Sequence, residues 1–230
     1  MSPLFFEDYY YEVRYNCSFK KLSQSTVKPE NSVLEAGCGK RSVLGELNLE
    51  VKNAVGVDIS LIDLQQNTDM DFRLLADVGK LPFKKNTFDL IICRNVVEHL
   101  PDPISVFSEF RMVLRPQGVI LIRTPNLFNP IIFLSCILPL NIRIWIKKNI
   151  FHDTDGDTFP TYHRCNTKQR LVNTLTSLGF QSNFSTYDGL MAYFDFSRIL
   201  LSLIVLYERI TDIRCLRWLK MWIIISFFKP

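Results

Sequence analysis

The stretch Val33-Leu34-Glu35-Ala36-Gly37-Cys38-Gly39 decides the fold of this chain. It begins as a short apolar run, and two glycines separated by one residue follow that run directly. Glycines at this spacing let the chain turn sharply at the carboxyl end of a strand and approach a ligand closely, which a Cβ atom would prevent. Taken alone, the turn is explained equally well as plain sheet geometry, so the neighbouring segments must decide between the two interpretations.

Short apolar runs recur along the chain and alternate with helical patterns in its first half. The runs cover residues 32–36, 54–58, 72–76, 88–93 and 118–123, followed by two further strand candidates at 180–187 and 221–228. Runs this apolar are typical of strands buried on both faces, and their alternation with helices predicts a parallel α/β sheet. One helix is predicted after Asp102 as its cap, and another from Asn166, with Gln169 completing a capping box, to Gly179.

The composition is that of one folded domain. The 230 residues are 47% hydrophobic and 22% charged, with 9 Gly and 11 Pro, which excludes disordered and collagen-like chains. The 27 Lys and Arg against 23 Asp and Glu leave a net charge of +4 without a dense basic block, so no nucleic-acid partner is predicted. The six cysteines form no Cys-x-x-Cys pair. Neither a metal site nor a disulfide framework is therefore expected, and a cytoplasmic location fits.

Acidic residues stand at the ends of the first three predicted strands, at Glu35, Asp58 and Asp77. An acid at the tip of the second strand can accept hydrogen bonds from both hydroxyls of a ribose. A nicotinamide dinucleotide is the rival ligand, but its fingerprint requires glycine at positions 37, 39 and 42, and position 42 is Ser. Glu35 would also repel a pyrophosphate. The turn therefore favours a ligand with positive charge over the ligand of a nucleotide-dependent oxidoreductase.

Five segments, in order, resemble class I S-adenosylmethionine-dependent methyltransferases of the type 11 group, which includes quinone-biosynthesis methyltransferases. The segments are Glu35-x-Gly37-x-Gly39, Gly56-Val57-Asp58, Asp77 with Leu81-Pro82-Phe83, Asn95 to Leu100, and Leu114 to Gly118. The resemblance implies a three-layer, Rossmann-like α/β fold with a seven-stranded, mostly parallel sheet whose last strand is antiparallel. A single methyltransferase domain over residues 1–230 is expected. The chain departs from the family pattern at Arg41, where many members have a third glycine.

The resemblance also implies S-adenosylmethionine as the cofactor and assigns the residues that bind it. Glu35 would hold the methionine amino group, directly or through water. The residues expected around the methionine part are Gly37, Cys38, Gly39, Asn95 and Val96. On the nucleoside side, Asp58 would bind the ribose hydroxyls, and Ile59 would pack on the adenine. Asp77 would accept a hydrogen bond from the adenine amino group, assisted by the Val78 amide.

Two histidines are candidates for a catalytic base. His99 follows the fourth predicted strand, at the sheet edge where ligands bind in this architecture, and its structural alternative is a helix-entry residue. His163 lies in a polar aromatic segment before the second capped helix, and its alternative is a surface-loop histidine. A hydroxyl acceptor must lose its proton during methyl transfer, and a neutral imidazole is suited to remove it near pH 7.

Compared with the family's seven strands, the chain carries two apolar insertions, at 127–165 and 189–219. Residues 1–30 are expected to form an N-terminal helical cover. Neither insertion holds eighteen uninterrupted apolar residues, so no membrane span is predicted. Basic residues border both insertions, which predicts contact with an anionic membrane surface. A self-packing lid or a homodimer contact is the alternative.

The predicted activity is methyl transfer, by O-methylation, to a hydrophobic or lipid-linked small-molecule acceptor. C-methylation of a quinone ring and a methyltransferase-like binding protein without turnover are the alternatives.

Overall fold

The computed structural model describes residues 17–139, 141–142, 159–189 and 198–230. In this part of the chain the strands are β1 Ser32–Ala36, β2 Asn53–Asp58, β3 Phe72–Leu75, β4 Phe88–Arg94, β5 Leu114–Pro125, β6 Gln181–Asp188 and β7 Trp222–Phe228. The helices are α1 Ser18–Thr26, α2 Val43–Glu46, α3 Leu61–Gln66, α4 Pro103–Val113, α5 Pro130–Ile137, α6 Lys168–Ser177 and α7 Arg198–Asp212. Two 3₁₀ turns cover Val97–His99 and Arg217–Leu219.

The seven strands form one sheet in the order β3-β2-β1-β4-β5-β7-β6. Strands β1 to β5 pair in parallel, whereas β7 pairs antiparallel with both of its neighbours, β5 and β6. The predicted seven-stranded, mostly parallel sheet with an antiparallel last strand is therefore confirmed. The direction in which strands are added reverses between β1 and β4, and such a switch point opens a crevice at the carboxyl ends of the two strands.

Helices cover both faces of the sheet and give the three predicted layers. On one face, the fully buried Phe107 and Phe110 of α4 and Leu171 of α6 share an apolar core with the strands. On the other face, α1, α2 and α3 contribute Phe19, Leu44 and Leu64 to a second core. Strands β1, β4 and β7 carry side chains into both cores, which is why their sequences are continuously apolar.

The two predicted helix signals are present, with one correction. Asp102 caps α4 by accepting a hydrogen bond from the Ser105 amide. The prediction that Asn166 caps α6 is wrong, because Thr167 is the cap and accepts from the Arg170 amide. The Asn166 side chain instead donates to Thr124 Oγ1 at 2.6 Å and to the Pro125 carbonyl at 3.1 Å. A buried side-chain amide satisfies its donors wherever an acceptor is near, and the end of β5 supplies two.

Among the described residues, helix α5 lies in the first apolar insertion and helix α7 in the second. Residues 1–16 of the predicted cover, and residues 140, 143–158 and 190–197 of the insertions, lie outside the described residues. Among the helices within the described ranges, none combines the length and the apolar character needed to cross a bilayer.

Two buried asparagines that follow β5 bind the segment that precedes β7. Asn126 Nδ2 donates to the Lys220 carbonyl at 2.8 Å, and Asn129 Nδ2 donates to the Leu219 carbonyl at 2.9 Å. The Tyr207 hydroxyl of α7 donates to the same Leu219 carbonyl at 2.6 Å and accepts from Asn129 at 3.2 Å. Because these polar groups satisfy one another away from water, they hold α5 and α7 together where β5 ends and β7 begins.

Candidate cofactor-binding site

The glycine turn after β1 needs both of its glycines. Gly37 and Gly39 have φ angles of 71° and 53°, in the left-handed region that side chains with a Cβ atom disfavour. A Cβ added to Gly37 would lie 2.2 Å from Val96 Cγ2, whereas one added to Gly39 would meet nothing within 4 Å. Gly37 is therefore required for packing against the loop after β4, and Gly39 keeps open the space above the turn.

Cys38, between the two glycines, is buried. Burial, and then the neighbouring Asp58 carboxylate, raise the pKa of its thiol to about 12. The thiol therefore stays protonated near neutral pH, and it is not a nucleophile.

Asp58 at the tip of β2 is held by two backbone amides. Its Oδ2 accepts from the Gly39 amide at 2.8 Å, and its Oδ1 accepts from the Ser60 amide at 2.9 Å. An ionised carboxylate offers about four lone-pair sites, so both oxygens keep acceptor capacity for a ligand. The carboxylate is thus fixed in orientation between the glycine turn and the start of α3.

A cavity of about 890 Å³ opens above the carboxyl ends of β1, β2 and β4. Its lining includes ten of the twelve residues that the sequence singled out, namely Gly37, Cys38, Gly39, Asp58, Ile59, Asp77, Val78, Asn95, Val96 and His99. Glu35 and His163 are not part of the lining. The structure therefore brings these ten residues to one space, while the role of each stays a prediction.

Glu35 lies beneath the turn. Its side chain is 2% exposed, and Oε1 accepts from the Val43 amide at the start of α2 at 2.5 Å. Oε2 is buried, and no hydrogen-bond partner for it lies within the described part of the chain. Burial raises the pKa of this carboxyl to about 7. A buried acceptor that lacks a partner is costly, which marks Glu35 as a group that a cation or a water above it would satisfy.

The adenine side of the predicted site combines one polar and one apolar contact. Asp77 Oδ1 accepts from the Gly79 amide at 2.8 Å, which orients its carboxylate at the exposed end of β3. Ile59 is 58% exposed although it is apolar, and it follows Asp58 directly. An exposed apolar side chain next to oriented acids suits the flat face of a base with polar edges.

His99 closes the other end of the cavity together with the end of the first insertion. Its Nδ1 lies 2.9 Å from the Pro160 carbonyl oxygen, and its ring packs edge-on against Phe159. Because a carbonyl only accepts hydrogen bonds, Nδ1 carries the proton, and the basic lone pair of the neutral ring is on Nε2. The Tyr162 and His163 amides both donate to the Glu98 carbonyl, which fastens this segment beside His99.

The Glu98 side chain points into the protein and is not part of the cavity lining. Its Oε2 accepts from Thr124 Oγ1 at 3.1 Å, and Thr124 Oγ1 in turn accepts from Asn166. Burial raises the pKa of Glu98 to about 7. This buried network connects the 3₁₀ turn that carries His99 with the end of β5.

Three arginines in the cavity lining were missed as site residues from the sequence. Arg94 is the last residue of β4, Arg123 lies two residues before the end of β5, and Arg41 follows the glycine turn. A signal was available, because two otherwise apolar runs each finish with an arginine at the edge where ligands bind. Sequence reasoning noted Arg41 only as a departure from the family pattern.

The residues present fit S-adenosylmethionine. Its ribose hydroxyls and adenine amino group are donors, and they match the oriented carboxylates of Asp58 and Asp77. Its positive charges match the buried Glu35 carboxylate beneath the turn, whose Oε2 has no partner among the residues that the structure describes. The turn at Gly39 leaves room that a side chain would fill.

A doubly wound sheet of this strand order, with a glycine turn at the switch point and acids on the next two strand tips, defines a class I S-adenosylmethionine-dependent methyltransferase. The chain belongs to the methyltransferase domain family, whose model matches residues 9–167. The predicted class and cofactor are thereby confirmed, and the nucleotide-dependent oxidoreductase is disfavoured.

Curated relatives share part of the chain. An uncharacterized protein of Methanocaldococcus jannaschii is 34% identical in an alignment of 113 positions that covers 47% of this chain and 48% of the relative. A ubiquinone biosynthesis O-methyltransferase of Histophilus somni is 30% identical in an alignment of 113 positions that covers 42% of this chain and 46% of that enzyme. The chain spans about half the length of these curated relatives.

The fold resemblance covers more of the chain. An S-adenosylmethionine-dependent methyltransferase of Mesorhizobium loti superposes with a TM-score of 0.61 at 14% identity, covering 93% of this chain and 99% of that structure. At this identity the likeness shows a shared fold.

Proposed function

We propose that this protein transfers a methyl group from S-adenosylmethionine to a hydroxyl of a hydrophobic or lipid-linked acceptor. The observation that carries the proposal is one cavity with acids at one end and His99, Phe159 and Tyr162 at the other. S-adenosylmethionine supplies a methyl group on a sulfonium, which an acceptor oxygen attacks in line. The reaction then requires orientation, exclusion of water and removal of one proton.

The residues of this chain divide these tasks. Asp58 and Asp77 anchor the nucleoside end, and Gly37 and Gly39 let the backbone approach the methionine end. Phe159 and Tyr162 cover the acceptor end and exclude water. His99 accepts the hydroxyl proton at Nε2, while its Nδ1–H bond to the Pro160 carbonyl holds the ring in the basic tautomer.

An apolar acceptor is favoured by the surface that α5 and α7 form beside the cavity. Helix α7 buries Glu208 and Thr211 and exposes an apolar stripe at helical spacing, which inverts the usual arrangement of a surface helix. Ten of the large exposed apolar residues of the two insertions are hereafter called the apolar platform: Phe128, Ile131, Phe133, Leu134, Ile137, Leu203, Leu206, Ile210, Ile213 and Trp218.

The proposed occupant of the apolar platform is an anionic membrane surface. Exposed apolar patches of this kind mark interaction sites, and arginines border this one at Arg214 and Arg217. Lys220, one of the basic residues that border the second insertion, is 6% exposed and pairs with Glu208 at 2.8 Å. An enzyme bound to the membrane surface in this way would meet a lipid-linked acceptor in the membrane that holds that acceptor.

The proposal is tested by single-turnover methyl transfer to a panel of phenolic and polyprenyl-linked hydroxyl acceptors. His99→Ala should lower the transfer rate on the order of 10² to 10⁴ while cofactor affinity is kept. His163→Ala is the matched control, because its side chain does not line the cavity. Equal rates for the parent and for His99→Ala would reject the base, and cofactor binding without any transfer would favour a binding protein without turnover.

A further inference from the structure

We infer that Thr124 and Asn166 are positioning residues for the proposed base, because they hold the segment whose Pro160 carbonyl sets the tautomer of His99. The two residues lie at the two ends of the first insertion, and neither is part of the cavity lining. The inference rests on the proposed function, since it concerns the group that is proposed there as the base.

The first insertion leaves β5 and returns to α6 through a neck that hydrogen bonds close. The Leu127 amide donates to the Asn166 carbonyl at 2.8 Å. The Asn166 side chain donates back to the Pro125 carbonyl at 3.1 Å and to Thr124 Oγ1 at 2.6 Å. The two ends of the insertion are therefore fixed against each other, and a shift of one end would break its bonds to the other.

The neck is also bonded to the turn that carries His99. Because Thr124 Oγ1 accepts from Asn166, its own proton is directed to Glu98 Oε2 at 3.1 Å. The side chains of Glu98, Thr124 and Asn166 are all buried, so water does not compete for these bonds. A chain of side-chain hydrogen bonds thus runs from the neck to the residue that precedes the proposed base.

The main chain of the same turn holds the returning end of the insertion. The Glu98 carbonyl accepts from the Tyr162 amide at 2.8 Å and from the His163 amide at 3.2 Å. Pro160 lies two residues before Tyr162, and its carbonyl oxygen is 2.9 Å from His99 Nδ1. The turn and the neck together therefore set the position of the Pro160 carbonyl.

The contact with Pro160 decides which ring nitrogen of His99 is basic. A free neutral imidazole side chain carries its proton mainly on Nε2, whereas a carbonyl opposite Nδ1 requires the proton there. The lone pair on Nε2 can then receive a proton from an acceptor hydroxyl. Loosening the neck would release the Pro160 carbonyl and return the ring to the tautomer in which Nε2 is already protonated.

Packing alone does not account for this network. Asn166 Oδ1 is buried, and among the described residues no hydrogen-bond partner for it is present. A buried polar atom without a partner is costly, whereas apolar side chains of the same shape in place of a bonded pair can be nearly neutral or stabilising. A polar network that carries such a cost is expected where the directions of its bonds matter.

The tautomer of His99 can be measured by nuclear magnetic resonance of isotope-labelled imidazole rings at a pH where the neutral form dominates. The spectrum of His99→Ala identifies the His99 signals among the three histidines. Thr124→Val removes the hydroxyl with little change of shape, and Thr124→Ser keeps it. Thr211→Val is the matched control, because Thr211 is also buried and its hydroxyl donates within α7, outside the cavity lining.

In the parent, we expect the neutral His99 ring to be protonated at Nδ1. Thr124→Val should shift the ratio of the two tautomers toward Nε2–H by about fivefold or more, as the loss of one hydrogen bond allows. Thr124→Ser and Thr211→Val should keep the parent ratio. A parent ring protonated at Nε2, or a parent-like ratio in Thr124→Val, would overturn the inference. If Thr124→Val does not fold, Asn166→Leu, which opens the same neck, must give the same shift.

Methyl transfer separates this inference from the proposed function. With an acceptor in hand, Thr124→Val should lower kcat by about fivefold or more and leave the affinity for S-adenosylhomocysteine and the KM of the acceptor unchanged. A tautomer shift in Thr124→Val together with parent-like transfer by His99→Ala would count against the proposed base alone. Loss of transfer in His99→Ala with an unchanged tautomer in Thr124→Val would keep the proposed base and reject the two positioning residues.

Discussion

The Asp58 carboxylate accepts a hydrogen bond from the Gly39 amide at 2.8 Å, so the tip of β2 holds the glycine turn that follows β1. The same carboxylate accepts from the Ser60 amide with its other oxygen. One acid therefore orients two loops of the cofactor site before any ligand is bound, which lowers the ordering cost of binding.

Asp58→Asn should weaken the binding of S-adenosylhomocysteine. An amide group accepts with one oxygen only, so one backbone partner and one ribose hydroxyl lose their acceptor. We expect a loss of about 1.5 to 3 kcal/mol, measured by isothermal titration calorimetry. Asp71→Asn, which alters an exposed acid outside the cavity lining, should leave affinity unchanged. Parent-like affinity in Asp58→Asn would remove Asp58 from the ligand contacts.

The two glycines of the turn should respond differently to alanine. Gly37→Ala places a Cβ 2.2 Å from the Val96 side chain and adds left-handed strain, so we expect a loss of stability of about 2 kcal/mol or more. Gly39→Ala meets no protein atom within 4 Å, so we expect a stability loss of about 1 kcal/mol together with a marked loss of cofactor affinity. Denaturant unfolding and calorimetry measure the two effects, and identical behaviour of the variants would contradict the assignment.

Stability should fall as the pH rises from about 4.5 to above 7. Burial raises the pKa values of Glu35 and Glu98 from 4.5 to about 7, so in this window the folded state binds more protons than the unfolded chain. The contribution of each carboxyl is complete below the unfolded pKa and is lost as the pH passes the folded pKa, on the order of 3 kcal/mol per group.

Glu98→Gln isolates one of these two groups, because glutamine stays neutral and its oxygen still accepts from Thr124. Urea unfolding at several pH values between 5 and 8 should show a shallower decline for this variant than for the parent. Asp71→Asn is the control, since its side chain is exposed. Parallel pH profiles for the parent and Glu98→Gln would show that Glu98 does not titrate in this range.

The apolar platform should bind vesicles that contain phosphatidylglycerol. Replacing Leu206 and Ile210 together by Gln removes two exposed apolar side chains, and we expect partitioning to fall by about tenfold or more in a sedimentation assay. Ile104→Gln on α4 is the matched control, because Ile104 is also exposed, at 58%, but lies outside the platform. Added salt should release part of the bound protein.

Two outcomes would contradict membrane binding by the platform. Absence of sedimentation with either anionic or neutral vesicles is the first. The second is a concentration-dependent dimer of the parent that the double variant converts to monomers, which would assign the apolar platform to a second copy of the chain.

Local sequence patterns were sufficient for the sheet and for most of the cofactor end. Strands β1, β4, β5 and β7 are each built around an apolar run, the glycine turn follows β1 directly, and Asp58 and Asp77 stand at or just after the ends of β2 and β3. Such signals depend on residues close together in the chain, which is why they can be recognised without the tertiary structure.

The tertiary structure alone decided which distant groups meet. The register of β4 and β5 places Arg94 beside Arg123, and the sequence separation of the two conceals that pairing. The cap of α6 is Thr167 and not the predicted Asn166, because the Asn166 side chain donates to acceptors at the buried end of β5. Lys220 is a buried partner of Glu208 because α7 packs against the 3₁₀ turn that precedes β7. Long-range packing and the need to satisfy buried polar groups determine these contacts, and neither is visible in local sequence.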